Sequence, residues 1–221
     1  MTFSVVIPSG SASNLVECIT SILAYDEQVL PHKIIVVEDG SRAEAEDHIA
    51  SVHWVTGQKP FIFARNVNLG ILECTDDIFL LGDDAQLVST DGLTGLSDEV
   101  NHHPEVGVCS AGILGTVNNP NQHAVCPPSL RYEDHSLAFV GVFIPRHVID
   151  RVGLLDERFV GYGFDDDDYC RRVRESGLRL AIWDGCILDH RQDSKSVYRT
   201  QSNWTTRYIQ NQAIFHDKWS T

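Results

Sequence analysis

Basic residues are scarce: 17 Lys and Arg stand against 31 Asp and Glu, a formal charge of −14 over 221 residues. Affinity for a nucleic-acid backbone comes from neutralising phosphates with cations, so this balance argues against a generic nucleic-acid binder. An anionic substrate would need a metal or a few placed arginines to hold it. No apolar run approaches the roughly 20 residues of a membrane span, and no secretory leader is visible. The opening Met1-Thr2-Phe3-Ser4-Val5-Val6-Ile7-Pro8 is too short for a leader's apolar core and reads as a strand. The six cysteines form no C-x-x-C and no compact framework, so they read as reduced, mostly buried thiols of a cytoplasmic protein. The sequon Asn203-Trp204-Thr205 is then accidental. Also missing are G-x-G-x-x-G, the P-loop pattern, G-x-S-x-G and zinc spacings, which removes the markers of dinucleotide, P-loop, hydrolase and zinc sites.

What is present is an ordinary globule. Hydrophobic residues make up 43% of the chain, enough to exclude wholesale disorder and to bury a core without disulfide or metal staples. The first half alternates strand and helix. Apolar runs at 3–7, 34–37, 52–55 and 78–81 predict strands; 14–23, 43–51 and 64–74 predict helices, the first capped by Ser13 or Asn14. That alternation implies crossover connections and a mostly parallel sheet, with ligands beyond the carboxyl ends of the strands. The second half is less regular. Strands are expected at 106–113, 137–144, 180–183 and 187–188, and a loop or flap at 115–132. Helices are expected at 145–152, from Asp165 to a stop at Gly177, and at 204–215.

Acidic turns fall where the ligand is expected. Asp39 and the pair Asp83-Asp84 follow buried strands, where carboxylates can bind a base, a ribose or a hard divalent cation. Each turn taken alone reads more simply as a solvated turn or a helix cap. The run Asp165-Asp166-Asp167-Asp168 is harder to dismiss. Four carboxylates repel, which raises some of their pKa values, while a helix start favours negative charge. Asp168 can pair with Arg172 one turn on, and Asp165 can cap the helix. Asp166 and Asp167 keep no structural duty, and a poised carboxylate is what a general base needs. His190 gains importance only if it meets Asp84, where an imidazole suits Mn²⁺ better than Mg²⁺.

These segments occur in an order that resembles the family-two glycosyltransferases of GT-A fold, including rhamnosyltransferase-like members. The resemblance runs from Phe3 to His190. Val36-Val37-Glu38-Asp39-Gly40-Ser41 is similar to the family's V-V-D-D-G-S. Asn68-Leu69-Gly70 resembles N-x-G, and Leu80-Leu81-Gly82-Asp83-Asp84-Ala85 resembles L-L-N-D-D-A. Gly153-Leu154-Leu155-Asp156-Glu157-Arg158-Phe159 resembles G-G-F-D-E-R-F. Phe164-Asp165-Asp166-Asp167-Asp168-Tyr169-Cys170-Arg171-Arg172 resembles F-E-D-x-D-L-C-x-R, and His190-Arg191-Gln192-Asp193-Ser194 resembles H-x-x-x-S.

The resemblance implies a Rossmann-like α/β domain over 1–221. Residues 1–90 would form a nucleotide-binding half, 91–194 an acceptor and catalytic half, and 195–221 a C-terminal helical extension. It implies an inverting transfer of a sugar from a nucleoside-diphosphate donor, uridine being the implied nucleoside, to a hydroxyl acceptor such as a glycan. By position, Pro8, Ser9, Asp39, Arg65 and Asp83 would bind the donor. Asp84 and His190 would hold Mn²⁺ or Mg²⁺. Asp166 would be the base with Asp165 beside it. Asp167, where the family carries an apolar residue, leaves the base as Asp166 or a neighbour. Glu38 replaces the family's first Asp, and Gly82 removes the first Asp of a strict D-x-D. A modified DNA base as acceptor, a non-catalytic nucleotide-sugar-binding module and a homo-oligomer all remain compatible. The aromatics Tyr198, Trp204, Tyr208, Phe215 and Trp219 read mainly as packing of a terminal helix. With Lys195, Arg199 and Arg207 they could also meet an anionic acceptor.

Overall fold

A computed structural model describes residues 3–49, 51–161, 163–190 and 204–220. One nine-stranded sheet runs through it. The strands are β1 (Phe3–Ser9), β2 (Ile34–Glu38), β3 (His53–Thr56), β4 (Asp77–Leu81), β5 (Ala85–Leu87), β6 (Val106–Gly115), β7 (Leu130–Glu133), β8 (Gly141–Ile144) and β9 (Arg179–His190). The helices are α1 (Ala12–Tyr25), α2 (Arg42–Ala45), α3 (Phe63–Leu72), α4 (Gly92–His102), α5 (Arg146–Val152), α6 (Asp165–Glu175) and α7 (Trp204–Trp219). The strand order is β3-β2-β1-β4-β8-β6-β9-β5, with β7 pairing β9.

The four strands of the first half pair in parallel, as their crossover helices require. The second half is mixed: β6 and β9 run parallel, while β8, β5 and β7 join antiparallel. Apolar side chains alternate through β1, so Val5 and Ile7 enter one core and Val6 the other. α1 and α4 cover the first core; α3, α5 and α6 cover the second. Phe3, Phe79 and Phe143 meet with ring centroids 6.0–6.5 Å apart in the first core.

The chain moves outward from β1 through β2 to β3, then returns to β4 on the other side of β1. The direction therefore reverses between β1 and β4, which opens a crevice at their carboxyl ends. Register aligns those ends: Pro8 lies opposite Val37 and Ser9 opposite Glu38. Pro8 thus continues β1 instead of ending it, because the partner strand sets the length. α1 begins two residues earlier than its apolar spacing suggests. Its cap is Ser11, whose side chain accepts from the Asn14 amide at 3.4 Å, not Ser13 or Asn14.

α3 lies close against β1. A β-carbon on Gly70 would sit 2.4 Å from Val6 Cγ1 and 3.0 Å from Val37 Cγ2. Both neighbours are stiff, buried valines, so Gly70→Ala is expected to cost about 1–3 kcal/mol despite alanine's better helix propensity. Urea unfolding of the purified variant reads this out. Asn68, also on α3, ties the two halves together. Its amide donates to Leu155 O at 2.9 Å and Glu157 Oε1 at 3.0 Å, and its oxygen accepts from the Leu155 amide at 2.9 Å.

Residues 115–132 are anchored rather than a free flap. Arg131 makes a two-pronged bond to the fully buried Asp184, 2.8 Å on each prong, and donates to Asn121 O at 2.6 Å. Five of the six thiols are buried, and Cys126 is exposed. Among the described residues no helix is long and apolar enough to cross a membrane.

Candidate active site

The crevice between β1 and β4 gathers Ser9, Asp39 and Asp83, three of the residues expected on the donor side. Ser9 Oγ donates to Asp83 Oδ2 at 2.7 Å, and the Asp39 amide donates to Ser9 O at 2.8 Å. Ser9 therefore ties the ends of three strands, and Pro8 is buried in the strand beneath. Burial pushes the Asp83 carboxyl up to about 6, and the neighbouring Asp84 charge adds to it against the Ser9 bond.

A β-carbon on Gly82 would stand 3.0 Å from Asp84 Oδ1, the movable end of that side chain. Asp84 begins the turn into β5, and β5 pairs with β9 so that Ala85 faces His190. That register brings Asp84 Oδ2 to 3.4 Å from His190 Nε2. His190 Nδ1 bonds to the carbonyl of Thr116, which only accepts, so Nδ1 carries the proton. Nε2 faces the Asp84 carboxylate: a protonated ring donates to it, and a neutral ring turns a lone pair to it, so that oxygen and nitrogen could together ligate one cation. This mixed oxygen and nitrogen pair suits Mn²⁺. Among the described residues no cluster of three or more such ligands occurs, so these two would leave the remaining positions to substrate oxygens and water.

A second group lies at the end of β2. Asp39 Oδ1, Arg65 Nε and Asn66 Nδ2 are all buried without a hydrogen-bond partner. They cluster around one loop: Lys59 Nζ is 3.6 Å from Asp39 Oδ1, Arg65 Nη2 donates to Pro60 O at 2.5 Å, and Asn66 Oδ1 accepts from the Gln58 amide at 3.0 Å. Orphaned buried polar atoms are costly, so such a set fits a ligand edge carrying both donors and acceptors. Glu38 turns away: its Oε2 accepts from the Gly40 amide at 2.7 Å and shapes the turn. Asn66 escaped the sequence reading, since an amide within a helix carries no local signal.

The third group opens α6. Phe164 holds φ 72° and turns the chain into the helix, so Asp165 stands inside it and does not cap it. Burial, then the nearby Asp167 and Asp168 charges, push Asp165 up to about 6. Burial and the charges of Asp165 and Asp167 raise Asp166 well above the usual carboxylate range. Asp168 has a structural part. It is fully buried and accepts from Arg172 Nε at 2.9 Å, Trp219 Nε1 at 3.0 Å and Lys218 Nζ at 2.8 Å.

α7 thus docks on α6. Asn211 clasps the preceding turn, accepting from the Val160 amide at 3.0 Å and donating to Gly163 O at 2.9 Å. Tyr208 and Phe215 pack on Phe164, ring centroids 5.1 and 5.4 Å away. The terminal aromatics therefore pack, as the sequence suggests, although Tyr198, Lys195, Arg199, Asn203 and the Trp204 side chain lie outside the described residues. So does the motif beyond His190. Asn211, Lys218 and Trp219 were missed as site supports because their partners are more than 40 residues away.

The structure brings Ser9, Asp39 and Asp83 together, and separately Asp84 with His190. Among the described residues no hydrogen bond or ion pair joins Asp165 or Asp166 to either set.

Residues 4–139 match the model of glycosyl transferase family 2, and the chain belongs to that family. Solved structures share the GT-A fold. GalNAc-T7 with UDP, GalNAc and Mn²⁺ has a TM-score of 0.72 at 10% identity, covering 99% of this chain and 48% of that one. The mannosyltransferase PcManGT from Pyrobaculum calidifontis, with GDP-Man and Mn²⁺, has a TM-score of 0.66 at 17% identity, covering 98% and 63%. S. aureus TarS 1–349 has a TM-score of 0.61 at 13% identity, covering 86% and 60%. By sequence the chain is 20% identical over 249 residues to the uncharacterised protein y4gI of Sinorhizobium fredii, covering 99% of this chain. It spans about a quarter of that curated relative's length, 27%.

Proposed function

We propose that this chain is an inverting, metal-dependent glycosyltransferase that moves a sugar from a UDP-sugar to a hydroxyl-bearing glycan. The observation that carries the reading is the meeting of Asp84 Oδ2 and His190 Nε2, 3.4 Å apart beside the β1–β4 crevice. Two of the similar folds were solved with a nucleotide or nucleotide sugar and Mn²⁺, which supports a cation at the pair.

Uracil presents an N–H between two carbonyl oxygens. Asp39 Oδ1 would accept from the N–H, while Arg65 Nε and Asn66 Nδ2 supply donors for the oxygens. Ser9 and Asp83 would take the ribose. Asp84 and His190 would hold Mn²⁺ or Mg²⁺, which supplies positive charge against the leaving diphosphate. Asp166 would accept the proton of the attacking hydroxyl. A single in-line displacement inverts the anomeric carbon.

A base with a raised pKa gives a clear pH signature. Activity rises with pH as Asp166 loses its proton, and the midpoint lies above the usual carboxylate value of about 4. Asp165→Asn removes a negative neighbour, so the midpoint moves to lower pH. A pH series of kcat/KM for both proteins checks the direction; an unshifted limb would assign the base elsewhere.

The deciding experiment is a donor and acceptor screen with Mn²⁺, reading nucleotide release and the anomeric configuration of product by proton NMR. UDP release with inversion supports the reading. Retention, or preference for a GDP-sugar, contradicts it in part. Tight UDP binding without turnover across all pairs would favour a binding module.

A further inference from the structure

α7 carries Tyr208, Asn211, Phe215 and Lys218 at spacings of three and four, which sets them along one stripe of the helix with Trp219 beside it. That stripe meets the chain on both sides of the aspartate run. Before the run, the buried Asn211 reaches the main chain of the turn. Its oxygen accepts from the Val160 amide at 3.0 Å, and its nitrogen donates to Val160 O at 3.3 Å and Gly163 O at 2.9 Å. A β-carbon on Gly161 would stand 2.7 Å from Arg207 Cδ, and one on Gly163 3.1 Å from the Tyr208 ring, so the helix lies flush on this turn. The Phe164 ring packs against Tyr208 and Phe215. After the run, Asp168 accepts from Lys218 Nζ and Trp219 Nε1.

Asp166 sits between these two holds. The Asp168 amide donates to Phe164 O at 3.0 Å and closes the first turn of α6 around it. Both ends of that turn touch α7. Phe164 has φ 72°, a conformation that a bulky residue keeps only where its surroundings impose it.

We propose that Asn211 is a positioning residue that, through the Gly163 carbonyl and the Phe164 turn, fixes the place of the Asp166 carboxylate for proton removal from the acceptor. The proposal rests on the glycosyltransferase reading with Asp166 as base. It gives α7 a part in the reaction that needs no contact with substrate. Without the Asn211 bonds the turn relaxes toward a cheaper backbone, and Asp166 moves with it. A displacement of about 1 Å at a reacting group can cost about 100-fold in rate.

Asn211→Ala in the full chain is the test. It is compared with the parent by urea unfolding, by UDP titration with Mn²⁺, by kinetics on the donor and acceptor pair that the parent uses, and by ¹³C NMR titration of the aspartate carboxyls. UDP affinity is expected to stay at the parent value while kcat falls by about 10- to 100-fold. In the parent, burial and then neighbouring aspartate charges hold the Asp165 and Asp166 carboxyls high. Both are expected to titrate at lower pH in the variant, as the loosened turn admits water. Asp165→Asn and Asp166→Asn assign the two signals. Tyr208→Ala removes a partly exposed ring and decides the matter should Asn211→Ala not fold; it is expected to move kcat and the titrations the same way, by less. A residue that only docks the helix would lower stability and leave kcat and both titrations in place, and that result overturns the proposal. So does a loss of UDP affinity in step with kcat. Failure of the underlying reading looks different: a parent that transfers from no donor, or Asp166→Asn at the parent rate, removes the base that Asn211 would position, and the proposal with it.

Discussion

Asp166→Asn is expected to lower kcat by about 100- to 10,000-fold, the range a positioned general base contributes. Asparagine keeps the shape and still accepts from the Asp167 amide, a bond of 2.9 Å in the parent. It cannot take a proton. UDP affinity is therefore expected to stay near the parent value, because the residues proposed for the donor sit on β1, on α3 and in the turns after β2 and β4. Stability is expected to rise slightly or hold, since a half-buried carboxyl group crowded by Asp165 and Asp167 is replaced by a neutral amide. Steady-state kinetics with saturating donor, beside a UDP titration, distinguishes this from general damage. A variant that turns over at the parent rate would move the base to Asp165 or Asp167, which the same substitution would then identify.

The second large effect concerns Asp84 and His190. Asp84→Ala, or excess EDTA on the parent, is expected to abolish transfer, and added Mn²⁺ to restore only the parent. His190→Ala leaves the carboxylate in place, so higher Mn²⁺ is expected to recover part of its activity. Thr116 adds a separate handle. Its carbonyl fixes the His190 tautomer through the backbone, so side-chain changes at Thr116 are expected to be mild. Full turnover in excess chelator would remove the cation from this account.

The donor half was legible because its signals are local. Short apolar runs ending in Asp39 and Asp83-Asp84 specify strand, turn and carboxylate within a few residues, and parallel register then aligns their ends. The second half depends on partners distant in the chain. No element was expected over residues 85–105, where β5 and α4 form. α4 contains Gly95, a poor helix residue, because a β-carbon there would stand 2.8 Å from the Trp183 ring. The expected strand at 137–144 shortens to β8. The Leu137 amide bonds to Cys170 Sγ and the Ala138 amide to Gln122, so neither joins the ladder. Two short strands were expected where β9 forms one, although its pairing with β6 jumps from Trp183 to Ile187, the gap between the two expected strands. The buried charge of Asp184 within it is matched by Arg131 from β7. α2 ends at Ala45 and a tighter turn follows over Glu46–His48, so the helix expected to reach residue 51 is cut short.

The site divides along the same line. Asp84 and His190 were named from motif order, but their meeting depends on the pairing of β5 with β9. Arg172 was legible as the partner of Asp168 because the two stand one helical turn apart, whereas the rings against Arg171 and Arg179, Trp219 and Tyr132, are distant in the chain.

A crystal structure with UDP and Mn²⁺ tests the central claim most directly. Electron density for uracil is expected against Asp39, with the ion on Asp84 and His190 and the Asp166 carboxylate opening on the same cavity as the diphosphate. Nucleotide bound outside the β1–β4 crevice, or Asp166 turned to a separate surface, would contradict it.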